Sequence, residues 1–562
     1  MTDTVLKATT RWNLRQPAPP DYLATFRHLP PVIAHLLYHR NIATPKDAQA
    51  FFDAGVVGDP LALNGMEKAV IRILRALLSG ETIGIYGDFD ADGVTSTALL
   101  IEAFRQLECK VVPYIPHRVD EGHGLNAQAL KLLKEKGCTV VITADCGITG
   151  IRDGKPPRGM DLIITDHHLP SGEAPDCYVA INAHLADSGY EHDELTGVGI
   201  AYKLVQAVYG NMGKPLREDW LSLVALGTIA DLGELKGENR YFVRKGLEAL
   251  AHSTRPGILA LAEVARIDLP RVTAEDVGYG IAPRLNAAGR LDSAMLAFRL
   301  LMTESMDEAR ELAAQLEGLN KLRRELTQQM MDVAEKQLQE MDREAPFILV
   351  GSDELPPGIA GLVAGRLSEQ LRRPVLVYRT GPDFCVGSGR SIPEFDITAA
   401  LRTCDDLLVR YGGHLQAAGF TVATANMPQL KERLLQIAAQ SLAGKDLRPG
   451  LDVEVETPVS VLPGAALGYF RYLAPFGQGN PSPTFLTRRM DVVDSRLLGD
   501  GRHLRLKVRE KGAVWDAVAF NHGHRWSQAT GPLDIVYNVR MDNYKGRSRL
   551  ELGVLDFAPS QD

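Results

Sequence analysis

Between Thr82 and about Ala183 the chain repeats one pattern, a short apolar run rich in β-branched residues followed by a longer stretch of helical periodicity. Such alternation is the mark of βαβ units, whose strands pair in parallel and lie buried between helices. The runs are Thr82 to Gly87 (TIGIYG), Lys110 to Ile115 (KVVPYI), Cys138 to Thr143 (CTVVIT) and Asp161 to Thr165 (DLIIT). Helices are expected at Ser96 to Leu107, with Thr95 or Ser96 as cap, and at Asn126 to Lys136, opened by an Asn cap and ended by Gly137. In an open parallel sheet the loops beyond the carboxyl ends of the strands converge on one crevice. Side chains placed there meet in space whatever their separation in sequence.

Acidic motifs occupy three of those four strand ends. Asp88-Phe89-Asp90-Ala91-Asp92-Gly93 follows the first strand, Ala144-Asp145-Cys146-Gly147 the third, and Asp166-His167-His168 the fourth. A further motif, Ala230-Asp231-Leu232, ends a helical stretch and is placed to close the cluster. One isolated Asp at a strand end is ordinarily a helix cap or a turn residue. An Asp-His-His triplet is rarer, arising by chance in a chain this long only on the order of a few per cent of the time. So many carboxylates within a few ångströms repel one another unless cations neutralise them. Oxygen-rich sites with one or two imidazoles suit Mn²⁺ or Mg²⁺ rather than structural zinc.

The 562 residues are too many for one core, so several domains are expected. Met306 to Met341 reads as a long charged helix, with no Gly or Pro after Gly318. A second α/β segment runs from Ala345 to about Gly444, with strands at Phe347 to Val350 and Pro374 to Tyr378. After Pro449-Gly450 the pattern turns to short β-rich runs, which suggests a small barrel. No apolar stretch of membrane-spanning length is present, and the six cysteines form no CxxC pair, so a reducing, cytoplasmic setting is expected. A net charge of −8 means that any nucleic-acid contact must rest on locally concentrated basic residues.

The set DFDADG, TADCG, TDHH and GTIADL resembles the successive motifs of the DHH phosphoesterase superfamily. Glu121-Gly122-His123-Gly124-Leu125-Asn126, PRLNAAGR (Pro283 to Arg290), GSGRS (Gly387 to Ser391), Gly412-Gly413-His414 and PFGQGNP (Pro475 to Pro481) narrow the resemblance to the RecJ exonuclease family. It implies an α/β, multidomain protein with a parallel-sheet DHH catalytic domain, a long connecting helix, an α/β DHH-associated domain and a C-terminal OB-like β-barrel. The corresponding boundaries are a leader at 1–80, the catalytic domain at 81–265, a helical region at 266–344, the associated domain at 345–446 and the barrel at 447–562. The implied activity is 5′-to-3′ hydrolysis of single-stranded DNA to 5′ mononucleotides in repair and recombination, with two Mn²⁺ or Mg²⁺ ions. A monomer is implied, with a single-stranded DNA-binding protein and a recombination helicase as partners.

Residue by residue, Asp88, Asp90, Asp145, His167 and Asp231 match the family's metal ligands, with Asp145 bridging two ions and Asp90 and Asp145 counted in the catalytic set. His168, also in that set, would donate to a non-bridging phosphate oxygen, and Asp92 is either an outer ligand or a loop-stabilising acceptor. Arg118, Ser388, Arg390, Ser391, Gly413 and His414 match an anion pocket, where glycines let backbone amides approach a phosphate. Taken alone, Gly-Gly-His reads equally as a tight turn. Arg284 and Arg290 would hold backbone phosphates, surface ion pairing being the other reading. In the barrel the candidates are Arg502, His503, Arg505 and Lys507, then Tyr544, Lys545, Arg547 and Arg549, the last group being almost as well read as a solvated edge strand.

Two positions depart from the pattern. Gly84 stands where related pyrophosphatases carry a His, and Leu355-Pro356 stands where many relatives carry Trp-His. Two rival functions remain open to the residues: a superfamily phosphodiesterase acting on short oligonucleotides, and a non-catalytic single-strand binding protein.

Overall fold

The computed structural model describes residues 10–53, 57–118, 120–170, 175–342, 345–356, 358–542 and 549–560. It divides into a larger unit, Gly58–Gly233 with Lys245–Leu447, and a smaller one of residues up to Val57, Glu234–Arg244 and residues from Arg448 on. The 1–80 stretch read as one leader is therefore shared between them.

The larger unit carries the expected parallel sheet. Its strand order is Lys110–Tyr114, Thr82–Gly87, Cys138–Ala144, Asp161–Thr165 and Val179–Ile181, every pairing parallel. The fifth strand is only three residues long, too short for an alternation signal. Ile83, Ile85, Val140, Ile142, Ile163 and Ile164 are all buried, as a sheet covered by helices on both faces requires. The helix after the first strand spans Ala91–Gln106 and starts five residues before the Ser96 expected from sequence. Asp90 is its cap, accepting from the backbone N–H of Asp92 and Gly93, while the Thr95 hydroxyl donates back to the Ala91 carbonyl inside the helix. The acidic motif is thus the first helical turn as well as a strand-end loop.

Helix Met306–Glu340 buries Leu312, Ala313 and Leu316 early and Met330, Met331 and Ala334 late. The late residues pack with Ile348, Val350 and Val363 of a second sheet and its helix. That sheet runs in the order Leu408–His414, Ala417–Ala423, Phe384–Arg390, Val375–Thr380, Ile348–Ser352, antiparallel except for the last pair. Helix Ala360–Leu371, which carries Val363, packs against it.

The smaller unit is built on a closed barrel. Strand Phe485–Leu498 pairs with Pro532–Asp542 through its first half and with His503–Glu510 through its second. Bulges at Thr487/Met490 and Val492/Asp494 bend it enough to serve both neighbours. Ala513–Ala519 and Arg549–Pro559 complete the ring. Its interior residues Leu504, Leu506, Ile535 and Phe557 share one core with Phe26, Ile33 and Leu37 from the N-terminal segment. Strand Arg11–Leu14 pairs in parallel with Gly450–Val453.

Arg40 ties these distant stretches together. It donates to Glu454 Oε1 at 2.6 Å, Asn480 Oδ1 at 2.9 Å and the carbonyls of Leu36 and Pro481 at 3.0 and 2.8 Å. Both charged side chains are less than one-tenth exposed, at 7% and 6%. Removing one partner of such a pair strands the other without water. Arg40→Ala should destabilise the smaller unit by about 3–5 kcal/mol, read as an earlier first transition in urea. Addition of Glu454→Gln should recover part of the loss, and a second substitution that merely adds to it would refute the pairing account.

Candidate metal centre

Asp88, Asp90 and Asp145 bring one carboxylate oxygen each within 4.8 Å of one another, as do the ligand atoms of Asp92, His167 and Asp231 and those of Asp145, His167 and His168. Asp145 belongs to two of these groups and sits at their centre. His167 Nε2 lies 3.1 Å from Asp145 Oδ1, 3.5 Å from Asp231 Oδ2 and 4.0 Å from Asp92 Oδ2. Asp145 Oδ1 and His167 Nε2 are buried, and their 3.1 Å contact does not have the geometry of a hydrogen bond, nor does either atom make one elsewhere among the described residues. Buried polar atoms are normally satisfied, so these two call for a partner of another kind. A set of carboxylate oxygens with one imidazole nitrogen fits a pair of hard divalent cations.

Local structure explains why the acids can be held together. Asp145 adopts a left-handed backbone, φ 67°, and its N–H donates to the Thr165 carbonyl at 3.1 Å. Asp is among the few residues that tolerate that conformation. A Cβ on Gly197 would stand 2.5 Å from Asp145 Cβ, so only glycine lets helix Gly197–Asn211 start so close. Of the two roles left open for Asp92, the structure supplies the second, since both its oxygens accept backbone N–H groups, from Gly197 at 2.7 Å and Val198 at 3.0 Å. Asp92 also stands within the His167–Asp231 group. Asp231 closes helix Trp220–Ala230, as expected.

Three positioning residues escaped the sequence reading. Asp166, the acid of the His-His triplet, accepts from the N–H groups of Ile148, His167 and His168 and lies 2.7 Å from His168 Nδ1. Asn182 donates to the His168 carbonyl at 2.8 Å. Asn286 accepts from Ala91 N at 2.8 Å, which fastens the PRLNAAGR segment to the start of the acidic-motif helix. Within that segment a Cβ on Gly289 would stand 2.1 Å from the Phe89 carbonyl. The sequence signal was present in the motif itself, but its partner lies 195 residues away.

The electrostatics are those of crowded acids in a dry place. Burial first, and Asp90 second, push Asp88 up to about 8. The same two causes raise Asp231 to about 7, and burial with neighbouring carboxylates holds Asp92 and Asp145 well above the usual range. His167 falls to about 4, chiefly through burial. Burial also disfavours a charged His168, but its hydrogen bond to Asp166 and the surrounding carboxylates outweigh that and raise it to about 9.

A cationic cluster faces the acids. Burial lowers Arg118, Arg290 and Arg390, and repulsion by Arg118 adds to it at the other two, taking Arg290 to about 10, while Asp88 and Asp90 act on Arg118 in the opposite sense. Arg118 stacks over the Phe89 ring at 4.8 Å. Arg390 donates to Ser388 Oγ at 3.0 Å and to the Gly389 carbonyl at 2.8 Å. The helix above it leaves a notch, because a Cβ on Gly361 would stand 3.0 Å from Arg390 Nη2. Register places Arg390, Ala417 and His414 in one row across three strands, so His414 shares the face of Arg390.

Other expected contacts are placed differently. Arg284 is ion-paired with Glu317 at 2.6 Å, its side chain largely buried. The Ser391 hydroxyl donates to the Phe395 carbonyl at 2.7 Å and so closes a turn. Gly413 is required by its hairpin, where a Cβ would stand 2.1 Å from the Ala417 carbonyl. Gly84 lies mid-strand against the side chains of Leu133 and Cys138, which leave 3.3 Å to a Cβ at that position. Leu355 is buried in the second lobe's core. In the barrel, Leu504 and Leu506 point inward while Lys507 is exposed, and Arg505 is half-exposed beside Asp516 at 3.5 Å. Tyr544, Lys545 and Arg547 lie outside the described residues, as does the side chain of Arg549.

Residues 82–228 match the DHH family, N-terminal domain, residues 344–443 the DHHA1 domain, and residues 453–556 the RecJ OB domain. The parallel sheet with its acid-rich strand ends defines a DHH-family protein. The single-stranded-DNA-specific exonuclease RecJ of Bacillus subtilis is 35% identical over 569 residues, covering 99% of this chain and 72% of that protein. Its counterpart in Thermus thermophilus is 36% identical over 484 residues, covering 83% and 69%. The crystal structure of RecJ in complex with Mn²⁺ from that same organism superposes with a TM-score of 0.83 at 30% identity, covering 98% of this chain and 80% of that one. The chain belongs to the RecJ family.

The perturbed acids make a prediction about pH. Asp231 and Asp88, raised to about 7 and about 8, and His168, raised to about 9, keep protons in the folded chain that the unfolded chain has released. Stability therefore falls as pH rises through this range. His167, lowered to about 4, acts with the opposite sign, but its contribution is essentially complete above its unfolded value of about 6.5. In chelator, stability should drop by roughly 1–3 kcal/mol from pH 7 to pH 8. Urea midpoints at the two pH values check this, and a flat or rising profile would mean that the acids ionise freely without a cation.

Proposed function

We propose that this chain hydrolyses single-stranded DNA from its 5′ end, releasing 5′ mononucleotides, with two Mn²⁺ or Mg²⁺ ions. The observation that carries the reading is the buried Asp145 Oδ1 and His167 Nε2, 3.1 Å apart without a hydrogen bond, set among carboxylates and facing a cluster of arginines. The RecJ relatives named above, one of them solved with Mn²⁺, support the substrate and the metal. Asp88, Asp90, Asp145, His167 and Asp231 would hold the ions, with Asp145 shared. When bound, divalent cations supply Lewis-acid polarisation of the phosphate and activation of water.

The chain's own groups do the remaining work. His168, held cationic and oriented by Asp166, is a charged donor for a non-bridging phosphate oxygen. Arg118, Arg290 and Arg390 supply positive charge beside the acids, where a strand's phosphates must lie. A terminal phosphate carries nearly two charges and an internal one carries one, so a bidentate guanidinium favours the strand end. Capture of that end by Arg390 and Ser388 sets the register, and each cut then removes one nucleotide. The barrel adds a surface for the strand that follows.

The decisive experiment follows 5′- and 3′-labelled single-stranded DNA with Mn²⁺ and with chelator. Expected are mononucleotides from the 5′ end with metal and an intact strand without it; an intact strand in both would refute the reading. Asp145→Ala should abolish hydrolysis while leaving DNA affinity largely in place, and more than about a tenth of the wild-type rate would contradict the shared-ligand role. Arg390→Ala should erase most of the preference for a 5′ phosphate over a 5′ hydroxyl, measured as relative rates at fixed salt.

A further inference from the structure

PFGQGNP is the motif that the metal centre leaves unexplained, and in the structure it is a fastening. The Asn480 side chain is buried, donates to the carbonyls of Leu473 and Pro475 at 2.8 Å each, and accepts from Arg40. Gln478 accepts from Leu235 N at 2.7 Å through its backbone carbonyl. These bonds fix the end of helix Ala465–Leu473 within the smaller unit. Arg240 seals that end, donating to the carbonyls of Tyr472, Leu473 and Ala474 and stacking over Phe51 at 3.9 Å. The exposed carbonyls of a helix C-terminus are natural partners for such a cation. Arg244 donates to the Phe52 carbonyl. Helix Pro45–Phe52 and helix Ala465–Leu473 are thereby locked side by side.

The outcome of all this fastening is an aromatic platform. Phe52, Tyr469 and Tyr472 stand with ring centroids 5.8, 6.0 and 6.2 Å apart, each ring half-buried. They line an open cavity of about 490 Å³ together with Gln49, Asp53 and Arg471. Arg471 is exposed, lies over the Tyr472 ring at 4.6 Å and donates to its hydroxyl at 2.7 Å. Gln49 donates to Asp53 at 2.8 Å. The platform is formed by two helices outside the barrel ring.

We propose that this platform is a second contact for single-stranded DNA, where one unpaired base stacks on Tyr469 or Tyr472 and Arg471 holds the adjoining phosphate. Rigid half-exposed rings beside a guanidinium suit a base, because every base has a flat π face and brings a phosphate with it. The polar rim suits a base edge, since Asp53 and the Gln49 carbonyl accept from exocyclic amino groups. The proposal rests on the single-strand reading above and concerns grip on the strand rather than cleavage.

The test measures affinity of the full chain for a mixed-sequence 20-nucleotide strand in chelator, which stops hydrolysis. Tyr469→Ala should weaken binding by roughly ten-fold, Tyr469→Phe should retain it, and Arg471→Glu should weaken it without touching the core. Cleavage of a five-nucleotide strand with Mn²⁺ should be unchanged in all three, which guards against misfolding. A strand carrying 5-iododeoxyuridine, irradiated on the wild-type protein, should crosslink within residues 465–473. If wild-type protein binds and degrades the strand while Tyr469→Ala and Arg471→Glu bind it equally well and crosslinks fall elsewhere, the platform is not a DNA contact. Failure of the wild-type protein to bind or degrade any single strand would instead overturn the function proposed above.

Discussion

The structure turns on confining several carboxylates around Asp145 in a place with little water. Like charges at such distances cost free energy, and burial adds to that cost by penalising every ionised form. The acids stay together because the chain gives each of them a fixed backbone role. Asp90 caps a helix, Asp92 holds the start of another, Asp231 ends a third, and Asp145 takes a left-handed conformation at a strand end. Folding therefore completes the site at a loss that other parts of the unit offset, and a divalent cation relieves it. Strain of this kind is expected at functional centres and is tolerated only where the surroundings over-determine it.

Close approach is the second requirement, and glycine meets it at the points where loops meet. Gly197 lets a helix begin against Asp145, Gly289 lets PRLNAAGR rest on the Phe89 carbonyl, and Gly358 sits where a Cβ would stand 2.2 Å from the Arg290 carbonyl. The second lobe thus reaches the acidic motif through backbone contacts on Arg290. A change in any of these segments is transmitted to the acids without passing through a flexible side chain.

What could be read in advance follows from the range of the interactions. The strands Thr82–Gly87 and Asp161–Thr165 were legible to the residue, because apolar runs buried on both faces carry their own signal. The long helix was legible too, ending at Glu340 within a residue of its expected end. The start of the helix at Ala91 was not, since DFDADG reads as a loop until Asp90 is seen to cap it. The metal-ligand candidates converge as the strand-end argument requires, whereas Arg284 could not be placed without knowing that Glu317 faces it. Asp166 was passed over because two histidines beside it drew the chemistry to themselves; its role is visible only once four donors are seen to point at it. Non-local pairing was the hardest to see, as with Arg11–Leu14 beside Gly450–Val453.

That last pairing bears on how the protein is made. The strand Arg11–Leu14 and the helix Pro31–Tyr38 leave the ribosome well before the barrel, yet the partners of this segment include Glu454, which lies 414 residues beyond Arg40. At roughly 5–20 residues per second, these segments wait some tens of seconds before the barrel that pairs with them exists. The larger unit, by contrast, has all its strands in hand once Ala423 has been synthesised. Synthesis order thus makes Arg11–Leu14 and Pro31–Tyr38 wait for their core until the barrel exists, and removing the barrel strands uncovers them.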